Sequence, residues 1–88
     1  MSYETLIDEP VKIWVLFDFS ASPQQISPIA MNWQKRLIKF QKVIFTSIKK
    51  RGEVKILNLI CASEGANFEL EYNNNTHLWK LKKIMPKE

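Results

Sequence analysis

The sequence has few of the residues from which catalytic and metal sites are built. Its 88 residues include one cysteine (Cys61), one histidine (His77) and two glycines. A single cysteine excludes a disulfide within the chain, and one cysteine with one histidine falls short of the four ligands of a structural zinc site. The glycines are not clustered, so no loop resembles a phosphate cradle. We therefore expect a protein that is not an enzyme and has no cofactor, metal or small-molecule substrate.

Long apolar runs are also missing. No stretch approaches the ~18 apolar residues needed to cross a bilayer. The first residues are neither basic nor followed by a long apolar run, unlike a signal peptide. A lone cysteine suits a reducing compartment. These features predict a cytoplasmic protein with no membrane partner.

The charge that is present is unevenly distributed. Residues 1–23 have a net charge of −3, residues 24–55 have +7, and the remainder is balanced. The cations of the central segment are Lys35, Arg36, Lys39, Lys42, Lys49, Lys50, Arg51 and Lys55. A local excess of one sign indicates a partner of opposite charge more clearly than the total of +4 does.

Apolar spacing favours strands outside the central segment. The odd-numbered residues from Val11 to Phe19 are all apolar, as in a strand with one face in a core. The acidic, polar residues 1–10 before them are predicted to be flexible. Near the other end, two alternating runs surround a turn at Asn73–Thr76, which predicts a hairpin with Leu70 opposite Trp79.

The sequence of the central segment, residues 24–50, is compatible with either a helix or strands. Its apolar residues fall mainly on one side of a helical wheel, which favours a helix at about 24–50 packed on a sheet. Against this helix, Pro28 lies inside the pattern and lacks a backbone donor. Val43–Ile48 is rich in β-branched and aromatic residues, which fit a pleated strand better. We favour strands, with a β-bulge near Gln41–Lys42.

These patterns predict an all-β or nearly all-β fold. We expect residues 11–86 to form a single small domain, either an antiparallel six-stranded sheet or an SH3/OB-like barrel. The alternative is an α+β protein with the central helix.

The aromatic spacing also resembles a known group. Pro28-x4-Trp33-x2-Arg36, Phe68-x-Leu70-x-Tyr72 and Trp79-x-Leu81-x2-Ile84 are similar to the pattern of short uncharacterised bacterial all-β domains. The resemblance covers about two thirds of the chain and implies a fold, with no catalytic residue. The chain departs from that group in having Gln34-Lys35 where a glycine-containing turn is usual.

The basic centre predicts sequence-tolerant binding of single-stranded nucleic acid. Small β-barrels bind such strands by combining a basic groove with aromatic faces for stacking. The candidate residues are Trp33, Lys35, Arg36, Lys39, Lys42, Lys49, Lys50 and Arg51. The plainer interpretation is that the aromatic residues belong to the core and the cations keep the surface soluble.

The alternative function is a protein–protein contact. Trp14 and Leu16 lie on the second face of the first predicted strand, opposite the face formed by its odd-numbered apolar residues. They either belong to a second small core or form a contact patch. An acidic protein surface is the corresponding partner for the basic centre.

Overall fold

The computed structural model describes residues 5–18, 20 and 25–86, which form strands and turns with no helix among them. The strands are β1 Thr5–Pro10, β2 Lys12–Asp18, β3 Gln25–Trp33, β4 Arg36–Lys39, β5 Lys42–Arg51, β6 Val54–Ala62, β7 Ala66–Asn73 and β8 Leu78–Pro86. The all-β prediction is confirmed. The alternative of a central helix is wrong, because β3, β4 and β5 occupy that segment.

The strands form two antiparallel sheets. One has the order β1-β8-β7-β6-β5 and the other β2-β3-β4. The chain passes between the sheets at Val11, after β1, and at Phe40–Gln41, after β4. At these points the Val11 N–H donates to the Trp79 carbonyl (3.1 Å) and the Gln41 N–H to the Ala62 carbonyl (2.7 Å). The sequence predicted either a six-stranded sheet or a barrel. The described residues form eight strands in two sheets, which do not close into a barrel.

One apolar core lies between the sheets. Its fully buried members from the five-stranded sheet are Leu59, Cys61, Leu70 and Leu81, and Met31 comes from the three-stranded sheet. The alternation predicted for β2 is observed, because Ile13 and Val15 pack against this core. Burying a side chain such as leucine contributes about 1.5–3 kcal/mol, so these contacts hold the two sheets together.

The N-terminal segment is a strand over Thr5–Pro10, where the sequence predicted a flexible stretch over residues 1–10. Thr5 pairs with Ile84 of β8, and a bulge follows Leu6. Lys82 Nζ lies 2.9 Å from Asp8 Oδ1, across 74 positions of sequence. Pairing between segments so far apart in the sequence cannot be predicted from the residues around β1 alone. Residues 1–4 and Phe19, the predicted end of the next strand, lie outside the described residues.

The register of the last hairpin differs by two residues from the prediction. Leu70 pairs with Leu81, and Trp79 pairs with Tyr72. The turn begins one residue later than predicted, because Asn73 Oδ1 accepts hydrogen bonds from the N–H groups of residues 75 and 76, at 2.8 and 3.1 Å. A two-residue shift keeps each side chain on its predicted face.

Candidate functional site

The three-stranded sheet has one face in the core and one face in solvent. Met31 is fully buried and pairs with Ile13 and Ile38, which also pack against the core. Because side chains alternate along a strand, the residues between these point outward. The outward-facing residues are Lys12, Trp14, Leu16 and Asp18 of β2, Ser27, Ala30 and Asn32 of β3, and Leu37 and Lys39 of β4. We call this surface the β2–β4 face.

Trp14 lies on β2, an edge strand of the three-stranded sheet. It pairs with Ala30, which in turn pairs with Lys39, so the three form one row across the sheet. The Trp14 side chain is 45% exposed, and Lys12 Nζ lies 5.6 Å from the centroid of its ring. Since Ala30 has only a methyl side chain, the row presents an indole and an ammonium group on either side of a short residue. Lys12 therefore lies over the indole ring, and Lys39 lies two strands away in the same row.

The same face has two exposed leucines. Leu16 is 55% exposed and Leu37 58% exposed. Neither Trp14 nor Leu16 belongs to the core cluster or packs against it.

A cleft of about 440 Å³ adjoins the β2–β4 face at β4. Trp33, Arg36 and Lys39 line one side and the Ser63–Ala66 turn the other, with Phe68 among the lining residues. The cleft is therefore lined by two aromatic side chains, two cations and the carboxylate of Glu64.

Trp33, the predicted stacking residue, is only partly exposed. It packs against the core, and its indole Nε1 donates a hydrogen bond to Glu9 Oε2 at 3.1 Å. This contact fixes the ring beside a carboxylate, which repels phosphate. Trp14 is the more accessible of the two indoles.

The predicted cations form two groups. Lys35 lies in the β3–β4 turn, Arg36 and Lys39 lie on β4, and Lys42 begins β5, all of them exposed. Lys49, Lys50 and Arg51 end β5 and are also exposed. At ~3.3 Å per residue, Lys49 lies roughly 23 Å along the strand from Lys42. Of the first group, Lys35 and Lys39 adjoin the β2–β4 face, and Arg36 lies on the opposite side of β4. Lys42 and the second group belong to the five-stranded sheet.

Arg51 has a partner within the fold. Its guanidinium Nη2 lies 3.4 Å from Oε1 of Glu71, whose side chain is 11% exposed. This contact ties one cation of the second group to the five-stranded sheet.

Sequence reasoning missed Lys12 and Leu37 as candidate site residues. Lys12 is two positions from Trp14, and strand alternation alone places both on one face. Leu37 could not be assigned in the same way, because the position of β4 beside β3 depends on the turn between them.

Cys61 and His77 have structural roles. Cys61 is fully buried, and burial raises the pKa of its thiol to about 12, so the thiol stays protonated at neutral pH. His77 Nδ1 forms a hydrogen bond with the Tyr72 hydroxyl at 2.7 Å. Among the described residues there is no group of three or more His, Cys, Asp or Glu side chains suited to a metal ion.

The described part of the chain has no helix of the length and apolarity that spanning a membrane requires. Comparison of the sequence and fold with models of protein families, with curated proteins and with solved structures finds no match.

Proposed function

We propose that the protein is a small non-enzymatic binding domain that holds single-stranded nucleic acid on the β2–β4 face without reading its sequence. The observation that supports this proposal is the exposed Trp14 indole, with Lys12 Nζ 5.6 Å from its ring and Lys39 in the same row.

The chemistry of this face suits a nucleic-acid strand. A base stacked on an aromatic side chain gains ~1–3 kcal/mol, and every base has a suitable face. Lys12 and Lys39 are placed to contact the phosphates on either side, and such contacts position a strand without selecting a sequence. Lys35, in the adjacent turn between β3 and β4, extends the basic surface.

The distribution of carboxylates favours the β2–β4 face over the neighbouring cleft. The cleft has Glu64 in its wall, and Glu9 lies beside Trp33. On the described part of the β2–β4 face the only carboxylate is Asp18, which ends β2. A phosphate backbone therefore meets less repulsion on the face than in the cleft.

The experiment measures, by fluorescence anisotropy, how tightly the protein binds a labelled oligothymidine of about twelve nucleotides over a range of salt concentrations. We expect Trp14→Ala to weaken binding by roughly five- to 150-fold, the equivalent of one stacked base, and Trp14→Phe to restore most of it. Lys39→Gln removes one phosphate contact and lowers the salt slope by about 0.7. Leu78→Ala, which truncates a residue that is 63% exposed on the other sheet, is the control and leaves binding unchanged. Equal affinity of Trp14→Ala and the parent would refute the proposal.

A protein partner at the same face is the second candidate, because Leu16 and Leu37 are both more than half exposed. Exposed apolar patches mark protein contacts. The two functions differ in salt dependence, since phosphate binding weakens steeply with salt and apolar contact does not. Failure of oligothymidine to bind at low salt would leave the protein contact as the function of this face.

A further inference from the structure

β5 is an edge strand that pairs with β6 alone among the described strands. Arg51 and Val54 close a two-residue turn whose first residue, Gly52, has a φ of 62°, which is the type II′ hairpin. The Arg51 main chain then bonds to Val54, and bonding residues alternate from there. The peptide groups of Thr46, Ile48 and Lys50 therefore point away from β6, toward the open edge.

Within the described part of the chain, the middle of this edge lacks the usual protection. Natural proteins guard edge strands with charged residues, proline, bulges or a covering segment. Val43–Ile48 contains no charged residue and no proline. A bulge interrupts the ladder at Ile44, but Phe45–Ile48 pairs regularly with β6. Phe45 is 53% and Ile48 64% exposed, so apolar side chains flank the open peptide groups.

Charge at the two ends of β5 selects among possible partners. Lys42 begins the strand, and Lys49, Lys50 and Arg51 end it, all of them exposed. If two copies paired antiparallel about Thr46, the Lys42 end of one β5 would lie beside the Lys49–Arg51 end of the other. Like charges directly opposite each other destabilise a sheet. The edge therefore suits a strand with carboxylates at its ends better than a second copy.

We propose that β5 binds an extended acidic segment of a partner protein by strand addition. The segment has β-branched or aromatic residues in its middle and aspartate or glutamate at its ends. Its main chain bonds to the peptide groups of Thr46, Ile48 and Lys50, and its apolar side chains contact those of Phe45 and Ile48. Its carboxylates meet Lys49 and Lys50. This site is on the five-stranded sheet and does not depend on the function of the β2–β4 face.

The first test selects ligands from a phage-displayed library of random twelve-residue peptides, with the full chain as bait. The enriched peptides are expected to have apolar centres and acidic ends. Ile48→Lys places a charge in the middle of the edge and should lower the affinity for an enriched peptide by about tenfold or more. Lys50→Glu should lower the affinity by a similar factor, because it reverses the charge that meets the peptide's carboxylates. The matched control is Leu6→Lys, at a 75% exposed leucine of β1 on the opposite edge, and it should bind like the parent.

The second test measures amide hydrogen exchange with one enriched peptide, synthesised alone. In the free protein we expect β6 to protect the amides of Ser47 and Lys49, and those of Thr46, Ile48 and Lys50 to exchange fast. The peptide should slow the second set only, a signature of strand addition.

Several results would overturn the proposal. The first is that the library yields no enriched peptide. The second is that enriched peptides bind Ile48→Lys and Lys50→Glu as tightly as they bind the parent protein. The third is that amide exchange at Thr46 and Ile48 stays fast when the peptide is present. Protection of these amides that rises with protein concentration, without peptide, would instead assign the edge to a second copy. Resonance shifts of Lys49 and Lys50 caused by oligothymidine, with no enriched peptide, would assign the cations to nucleic acid.

Discussion

The β3–β4 turn holds two residues with side chains in a backbone conformation that favours glycine. Gln34 and Lys35 have φ values of 52° and 62°, and Trp33 pairs with Arg36 on either side of them. Positive φ at both central positions defines the type I′ hairpin, which usually contains glycine or asparagine. The left-handed conformation costs an ordinary residue roughly 1–2 kcal/mol.

Replacing Gln34 by glycine should stabilise the protein. The strain that is relieved, about 1–2 kcal/mol, exceeds the ~0.5–1 kcal/mol that glycine loses in conformational entropy. We expect Gln34→Gly to raise the free energy of unfolding by about 0.5–1 kcal/mol in a urea titration. The control is Gln41→Gly, where φ is not positive, and there the same change should destabilise by ~0.5–1 kcal/mol. A lower midpoint for Gln34→Gly than for the parent would contradict this account.

Asp8 joins β1 to β8 through a charge contact. Its Oδ1 accepts a hydrogen bond from Lys82 Nζ at 2.9 Å, and Lys80 Nζ lies 3.9 Å away. The hydrogen bond from Lys82, then the charges of Lys82 and Lys80, lower the pKa of the Asp8 carboxyl below its ordinary value of 3.8. Because this pKa is lower in the folded protein, the contact favours folding above the ordinary pKa and is lost as pH falls through the folded one.

A pH titration of the Asp8 carboxyl by NMR measures this contact directly. Lys82→Gln should bring the pKa back toward 3.8, because it removes both the hydrogen bond and the nearer charge. Lys80→Gln removes only the more distant charge and should shift the pKa less. An equal or larger shift in Lys80→Gln would show that the hydrogen bond is not the main cause.

At the scale of elements, the β7–β8 hairpin supplies much of the core. Trp79 is 8% exposed and its ring lies 4.7 Å from that of Tyr72, between centroids. Trp79→Ala should therefore lower the free energy of unfolding by about 3–5 kcal/mol, which is a large part of a small domain's stability. Leu78→Ala, at the exposed neighbouring position, should change it by less than about 0.5 kcal/mol. If the two variants have the same denaturation midpoint, Trp79 does not belong to the core.

The sequence predicted which segments are strands, and which side of each strand faces the core, better than it predicted how the strands pair. Alternation identified β2, β7 and β8 and the side of each that enters the core, because side-chain direction depends only on local backbone geometry. The register of the last hairpin escaped prediction, since the Asn73 side-chain hydrogen bonds move the turn by one residue. The pairing of β1 escaped it because the partner strand is more than 70 residues away.

The candidate site was only partly predictable for a related reason. Trp14 and Trp33 both lie in strands with apolar residues on both sides, so the sequence cannot tell which ring is covered. The packing of the two sheets decides it, covering much of Trp33 and leaving Trp14 exposed.

For the whole molecule, the attachment of one sheet to the other depends strongly on Met31. It is the only member of the fully or nearly fully buried core cluster that the described part of the three-stranded sheet supplies. Met31→Ala should cost about 2–5 kcal/mol. It should also speed amide exchange in β2, β3 and β4 more than in β6 and β7, because the cavity left by the shortened side chain lies between the two sheets.

Ile56→Ala is the matched control for Met31→Ala. Ile56 is 3% exposed but lies outside the core cluster, on the other face of the five-stranded sheet. Its loss should cost a similar ~2–5 kcal/mol without selectively loosening the three-stranded sheet. Uniformly faster exchange in both variants would mean that the two sheets open as one unit.

The pairing of β1 with β8 determines how the fold responds to mechanical tension. Thr5 and Ile84 are partners at one end of this antiparallel ladder. Antiparallel hydrogen bonds run perpendicular to the strands, so pulling Thr5 away from Pro86 loads them one at a time, from the Thr5 end inward. The ladder then opens by unzipping as far as Val11, where the chain enters the other sheet. Under end-to-end force we expect β1 to detach at low load while the other seven described strands still hold together.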